Sequence, residues 1–141
     1  MGRRLLAITT IVFLSVPATG VSAEEQRGVA GPGGFELGYL TPTIAISKGD
    51  SLSFSNLDVF EHDIVHDVAT DGFGGKRNVP WCKTEAGEHD HGGACPIFWS
   101  ELVEAGGSTE VMGLVRVKPG KTYSFFCSRH HNMKGKLVVT S

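Results

Sequence analysis

Short runs of alternating apolar and polar residues, with no long amphipathic helical stripe, organise this chain. Ser51 to Asn56 sets Leu52 and Phe54 against Ser51, Ser53 and Ser55, the two-residue period of a strand with one buried face. Phe35 to Leu40 and Pro42 to Ser47 read as strands before the turn Lys48-Gly49-Asp50, and the β-branched run from His62 to Val68 reads as another. Glu110 to Val117 and Thr122 to Cys127 flank the turn Lys118-Pro119-Gly120-Lys121, and a last strand is expected over Gly135 to Thr140. Strands this short, punctuated by turns, predict an all-β domain built as a β-sandwich. Asp71 to Gly107 breaks the rhythm. It is rich in Gly, charge and His, and predicts a long connecting segment with room for one short helical turn around Phe98 to Glu104.

The first residues follow a different pattern. Met1-Gly2-Arg3-Arg4, an apolar run from Leu5 to Val16 and the small-residue site Val21-Ser22-Ala23 predict a signal peptide over residues 1–23, too short for a membrane anchor. Arg3-Arg4 allows twin-arginine export, but the flanking residues favour general secretion, and no Cys follows the cleavage site to carry a lipid. The expected product is exported, periplasmic or extracellular, with no stable membrane insertion. Residues 24–34, Gly- and Pro-rich from Gly28 onward, are expected to be a flexible N-terminal segment, and residues 35–141 the domain.

Charge and cysteines narrow the function. The chain carries a formal net charge of −2 at pH 7, with both leader arginines counted, and no basic stripe, so nucleic acid is not an expected partner. Three cysteines in an exported chain leave one odd. Cys82 and Cys95, both in the Gly-rich polar stretch, are expected to pair as a disulfide, leaving Cys127. A free thiol outside the cell is prone to oxidation, and binding a metal as thiolate protects it.

Cys127 opens the sequence Cys127-Ser128-Arg129-His130-His131-Asn132-Met133. A thiolate, an imidazole and a thioether are three members of the donor set of trigonal copper centres with a weak axial Met. A second imidazole must come from elsewhere, and His62 is the candidate. With both segments in view, the chain resembles the cupredoxins, the type 1 blue copper proteins of plastocyanin and amicyanin type. The resemblance rests on Asn56 six positions before His62, and on the spacing Cys127, two residues, His130, two residues, Met133, which is the short-loop amicyanin-like form. Two positions depart from that pattern: Asp63 stands where Asn usually follows the first His, and Arg129 where Pro often precedes the loop His.

The resemblance implies a Greek-key β-sandwich over residues 35–141 and one type 1 copper per chain, held by His62, Cys127, His130 and Met133. Asn56 and Asp63 would brace those ligands from behind. It also implies a monomeric, non-enzymatic one-electron carrier between transient redox partners such as cytochromes, oxidases or reductases, with the His130 ring edge as the electron port. His131 and His66 are the alternatives to His130 and His62. His66 reads more readily as a hydrogen-bonded core or rim histidine, and His131 would leave one residue before Met133. His89 and His91, with Glu85 and Glu88 nearby, could hold a second metal or simply form a solvated loop, and they support the alternative of copper delivery or storage. A multicopper enzyme is disfavoured, because Ser128 follows Cys127 where such enzymes place a His.

Overall fold

The computed structural model describes residues 25–72 and 95–141. Among them run β1 (Glu25–Ala30), β2 (Thr43–Ile46), β3 (Ser51–Asn56), β4 (Val65–His66), β5 (Trp99–Ser100), β6 (Ser108–Met112), β7 (Thr122–Phe126) and β8 (Lys134–Val139). Two single helical turns, α1 (Gly34–Leu37) and α2 (Val68–Asp71), and a 3-10 turn at Leu114–Arg116 complete the described elements. Strand order is β1-β3-β6-β5-β4-β7-β8-β2. The first three strands form one layer and the last five the other, and β6 joins them by pairing with β3 through Ser108–Glu110 and with β5 through Val111 and Met112. β1 runs parallel to β3 and β2 parallel to β8, while the other pairs are antiparallel.

The period-two runs become the core. Leu52 and Phe54 of β3, Tyr123 and Phe125 of β7, Leu137 and Val139 of β8, and Ile44 and Ile46 of β2 all point between the layers and are buried. Each large apolar side chain so placed contributes roughly 1.5–3 kcal/mol of transfer free energy. Gly135 on β8 lies under the Phe125 ring, where an added Cβ would come within 2.3 Å of it, so the close β7–β8 contact requires glycine.

Several expectations are corrected. Residues 25–30 are not a flexible lead but an ordered strand, β1, in register with β3 from Glu25↔Ser51 to Ala30↔Asn56. Gly28 there reflects tight packing, since a Cβ would sit 2.7 Å from Ile64 Cδ1. Phe35 to Leu40 is not a strand: Gly33, at φ 75°, turns the chain into α1, and only Tyr39 makes a bridge, to Ala30. His62 to Val68 alternates poorly, with His62, Asp63, Ile64, Val65 and His66 all buried, and only Val65–His66 pair as strand before Asp67 caps α2. The helical turn expected around Phe98 to Glu104 is replaced by β5 and a bridge between Val103 and His62, because Phe98 and Trp99 pack into the sandwich. β6 stops at Met112, since Gly113 at φ 85° passes so near the Ile97 carbonyl that no Cβ fits. The leader, Cys82, His89 and His91 lie outside the described residues.

Candidate metal centre

Two segments meet at one end of the sandwich. The first is the loop between β7 and β8. Its backbone folds on itself: Cys127 N–H donates to the Met133 carbonyl (3.1 Å), His130 N–H to the Cys127 carbonyl (3.2 Å) and Met133 N–H to the His130 carbonyl (2.8 Å). These nested turns put the Cys127, His130 and Met133 side chains on one side of the loop. The second segment follows β3 and delivers His62, whose backbone pairs with Val103 in both directions, at 3.1 and 2.8 Å.

The donor atoms converge. One ligand atom from each of His62, Cys127 and His130 lies within 4.8 Å of the others. His62 Nδ1 is 3.1 Å from His130 Nδ1, and each is 3.7 Å from Cys127 Sγ. With bonds of about 2.0 Å to nitrogen and about 2.3 Å to sulfur, as for a divalent first-row ion, those separations correspond to an angle near 100° between the nitrogens and two near 120° to sulfur, close to trigonal. Two imidazole lone pairs and a sulfur turned on one another repel unless a proton or a cation lies between them, so the donor chemistry fits copper in a His2Cys site. Met133 is fully buried, and its Cε lies 3.2 Å from the point where a Gly34 Cβ would be. That same point is 3.4 Å from His62 Nε2, so the Met133 methyl and the far edge of the His62 ring flank one Gly34 position of α1.

The surroundings hold each ligand in one orientation. Asp63 accepts from Ser128 N–H at 2.7 Å and from the Ser128 hydroxyl, so it ties the segment after His62 to the residue after Cys127. Asn56 donates to the Phe60 carbonyl (2.7 Å) and the Val103 carbonyl (2.8 Å), and its Oδ1 accepts from Asp58 N–H (2.9 Å). Asp58 was not singled out from sequence. Its Oδ2 takes His62 Nε2 at 2.9 Å and Gly34 N–H at 2.9 Å, while Oδ1 takes Val59 N–H at 2.8 Å and Gly33 N–H at 3.2 Å. Burial pushes the Asp58 carboxyl up, but the His62 and backbone hydrogen bonds outweigh it and bring it to about 2. A carboxylate four residues before a candidate ligand His was the available signal.

Burial, with the Asp63 charge behind it, pushes the Cys127 thiol up to about 11, so metal binding at neutral pH must displace a proton. His130 is half-buried, and burial followed by neighbouring His62 lowers its pKa. Its ring packs against Phe35 and Phe60, each 6.2 Å away, which meet edge to face at 5.1 Å.

The other candidates lie elsewhere. His131 is exposed and its Nε2 lies 3.0 Å from the Ser128 carbonyl, outside the cluster. His66 is buried with Nε2 3.0 Å from Asp71 Oδ1 and Nδ1 accepting from Ile97 N–H at 3.3 Å. Among the described residues Cys127 is a free cysteine, whereas Cys95 takes no part in the cluster.

Residues 27–140 match the model of the copper binding proteins of the plastocyanin/azurin family. A plastocyanin from Synechococcus sp. (strain JA-2-3B'a(2-13)) is 27% identical over 131 residues, spanning 92% of this chain and 81% of the relative. Among solved structures, a purple cupredoxin from Nitrosopumilus maritimus superposes with a TM-score of 0.55 at 18% identity, covering 82% of this chain and 99% of its own. Dithionite-reduced auracyanin from Roseiflexus castenholzii gives 0.54 at 19% identity, with 84% and 99% covered. The likeness to these two structures is one of fold.

Proposed function

The chain belongs to the plastocyanin/azurin family of copper-binding proteins, and we propose that within it the protein is an exported one-electron carrier with a single type 1 copper. The observation that carries this reading is the convergence of His62 Nδ1, His130 Nδ1 and Cys127 Sγ, with Met133 buried beside them. In this reading His62, Cys127 and His130 would hold the copper, with Met133 as a weaker fourth donor. The copper supplies a one-electron change of oxidation state. The protein supplies a donor set that moves little, because the loop is closed by its own backbone and His62 is locked between Val103 and Asp58. Little nuclear motion means a low reorganisation cost for each transfer.

His130 is the port in this reading. It is the ligand with exposed surface, framed by Phe35 and Phe60, and the neighbouring Leu37, Leu57 and Val59 are 83%, 58% and 79% exposed. An apolar rim suits transient docking of a redox protein, which needs modest buried area and fast release. Buried donors favour this role over copper delivery, which needs ready exchange. Export rests on the leader, and the Cys82–Cys95 bridge belongs to the same reading, supported by Cys95 being held as a disulfide half.

The test is direct. Protein loaded with Cu(II) should show an intense thiolate-to-copper band that bleaches with mild reductant and returns with oxidant through many cycles. Cys127→Ser, nearly equal in volume, should lose that band entirely. A blue Cys127→Ser protein, or rapid loss of copper to a weak chelator, overturns the reading.

A further inference from the structure

His62 offers Nδ1 to the cluster, so its Nε2 faces away, and the group it meets there is a carboxylate from the same loop. We propose that Asp58 is a positioning residue for the copper site: it holds His62 in the tautomer with hydrogen on Nε2, keeps Nδ1 bare toward the metal, and biases the site toward Cu(II). The proposal rests on His62 being a ligand, as read above.

The geometry is specific. Asp58 is 3% exposed, and an ionised carboxylate offers only acceptors. Each oxygen receives two donors: Oδ1 takes Val59 N–H and Gly33 N–H, and Oδ2 takes Gly34 N–H and His62 Nε2. A backbone donor cannot turn away, so three of those positions always present hydrogen to Asp58, and the fourth completes the shell only if His62 carries its proton on Nε2. Asn56 Oδ1 fixes the Asp58 backbone from the other side at 2.9 Å. The result is a relay from Asn56 through Asp58 to His62, closed above by the Gly33–Gly34 backbone. Gly34 belongs to that closure, since a Cβ would meet Met133 Cε, Asp58 Oδ2 and His62 Nε2 at 3.2–3.4 Å.

A carboxylate behind a ligating imidazole raises its basicity, and such partners typically alter metal affinity by about 10–100-fold. The negative charge supports the doubly charged ion more than the singly charged one. An amide in the same place fails on hydrogen-bond arithmetic, because its NH2 would confront N–H donors that the carboxylate oxygen now accepts.

Two measurements test this. In the metal-free protein at neutral pH, nitrogen-15 NMR of the imidazoles should show His62 as the Nε2–H tautomer, and a dominant Nδ1–H form overturns the proposal without any variant. In copper-loaded protein, Asp58→Asn should weaken Cu(II) binding about tenfold more than Cu(I), which raises the one-electron potential by about 59 mV. An unchanged or lower potential in a folded Asp58→Asn protein that keeps the thiolate band overturns it too. The two readings separate cleanly: a wild-type protein without a thiolate-to-copper band refutes the copper site, whereas a blue wild type with an indifferent Asp58→Asn refutes only the role of Asp58.

Discussion

The two ligand-bearing segments are held by different means. From Cys127 to Met133 the loop is closed by three backbone hydrogen bonds among its own residues, so its shape depends little on which side chains it carries. From Asn56 to His62 the chain is held mainly by side chains: Asn56 reaches Phe60, Val103 and Asp58, and Asp58 reaches Gly33, Gly34 and His62. One segment is self-organised and short-range. The other is assembled from β1, the turn after it and the strand pairing of Val103, and exists only in the folded domain. Substitution should therefore tune the first segment and break the second.

The second segment should break most severely at Asn56. Asn56→Ala leaves the buried Asp58 N–H and the part-buried Phe60 carbonyl without their side-chain partner and takes from the Val103 carbonyl one of its two donors, the His62 N–H remaining, at about 1–3 kcal/mol for each group that water cannot reach. Urea denaturation of the metal-free protein should show a loss of about 2 kcal/mol or more, with weakened copper binding as His62 loses its fixed position. A loss below about 1 kcal/mol would mean that the Val103 pairing alone holds the segment.

The self-organised loop should respond differently. Met133 contributes its backbone N–H and C=O to the loop whichever side chain it bears, so Met133→Leu and Met133→Gln should keep copper bound and the fold intact. Met→Leu conserves volume and should cost less than about 1.5 kcal/mol. The potentials should order with Leu highest, Met between and Gln lowest, because losing the thioether takes more donation from the electron-poor Cu(II) than from Cu(I), while a harder oxygen donor favours Cu(II). Steps on the order of tenfold in relative affinity, about 59 mV each, are expected. Potentiometric titration decides, and identical potentials in all three proteins would show that Met133 acts only as core packing.

The same contrast explains what was legible in the sequence. Cys127, His130 and Met133 could be picked out together because a short loop forces near neighbours into one place, and spacing alone carries the information. His62 needed the Asn56 spacing, whose physical cause is the set of bonds Asn56 makes across the intervening turn. Asp58 is not legible in the sequence because its importance depends on Gly33 and Gly34, more than twenty residues away. Those glycines read as linker, although the turn they form after β1 packs against Asp58, His62 and Met133. Phe35 to Leu40 imitated a strand because Phe35, Leu37 and Tyr39 alternate with polar or small residues, and the positive φ of Gly33 decided otherwise.

His66 should matter least, because it shares its segment with His62 and yet faces Asp71, Ile97 and the rings of Phe98 and Tyr123. Its Nδ1 accepts a backbone N–H, so the ring is neutral with hydrogen on Nε2, donated to Asp71. Burial lowers its pKa from the ordinary 6.5, and the nearby Asp71 and Asp67 charges offset only part of that. The unfolded chain then binds the proton more readily than the folded one between the lowered value and 6.5, so stability is complete above about pH 6.5 and declines as the pH falls below it. The slope from one such group is at most about 1.4 kcal/mol per pH unit. His66→Gln should flatten the stability profile of the metal-free protein between pH 6.5 and 5 relative to wild type, while leaving the thiolate-to-copper band and the potential of the loaded protein where they were. Denaturant midpoints across that range measure the first, and spectra with potentiometry the second. A His66→Gln protein that kept the wild-type slope would assign the pH dependence to the cluster histidines, and one that lost its blue colour would make His66, four residues beyond His62, part of the site after all.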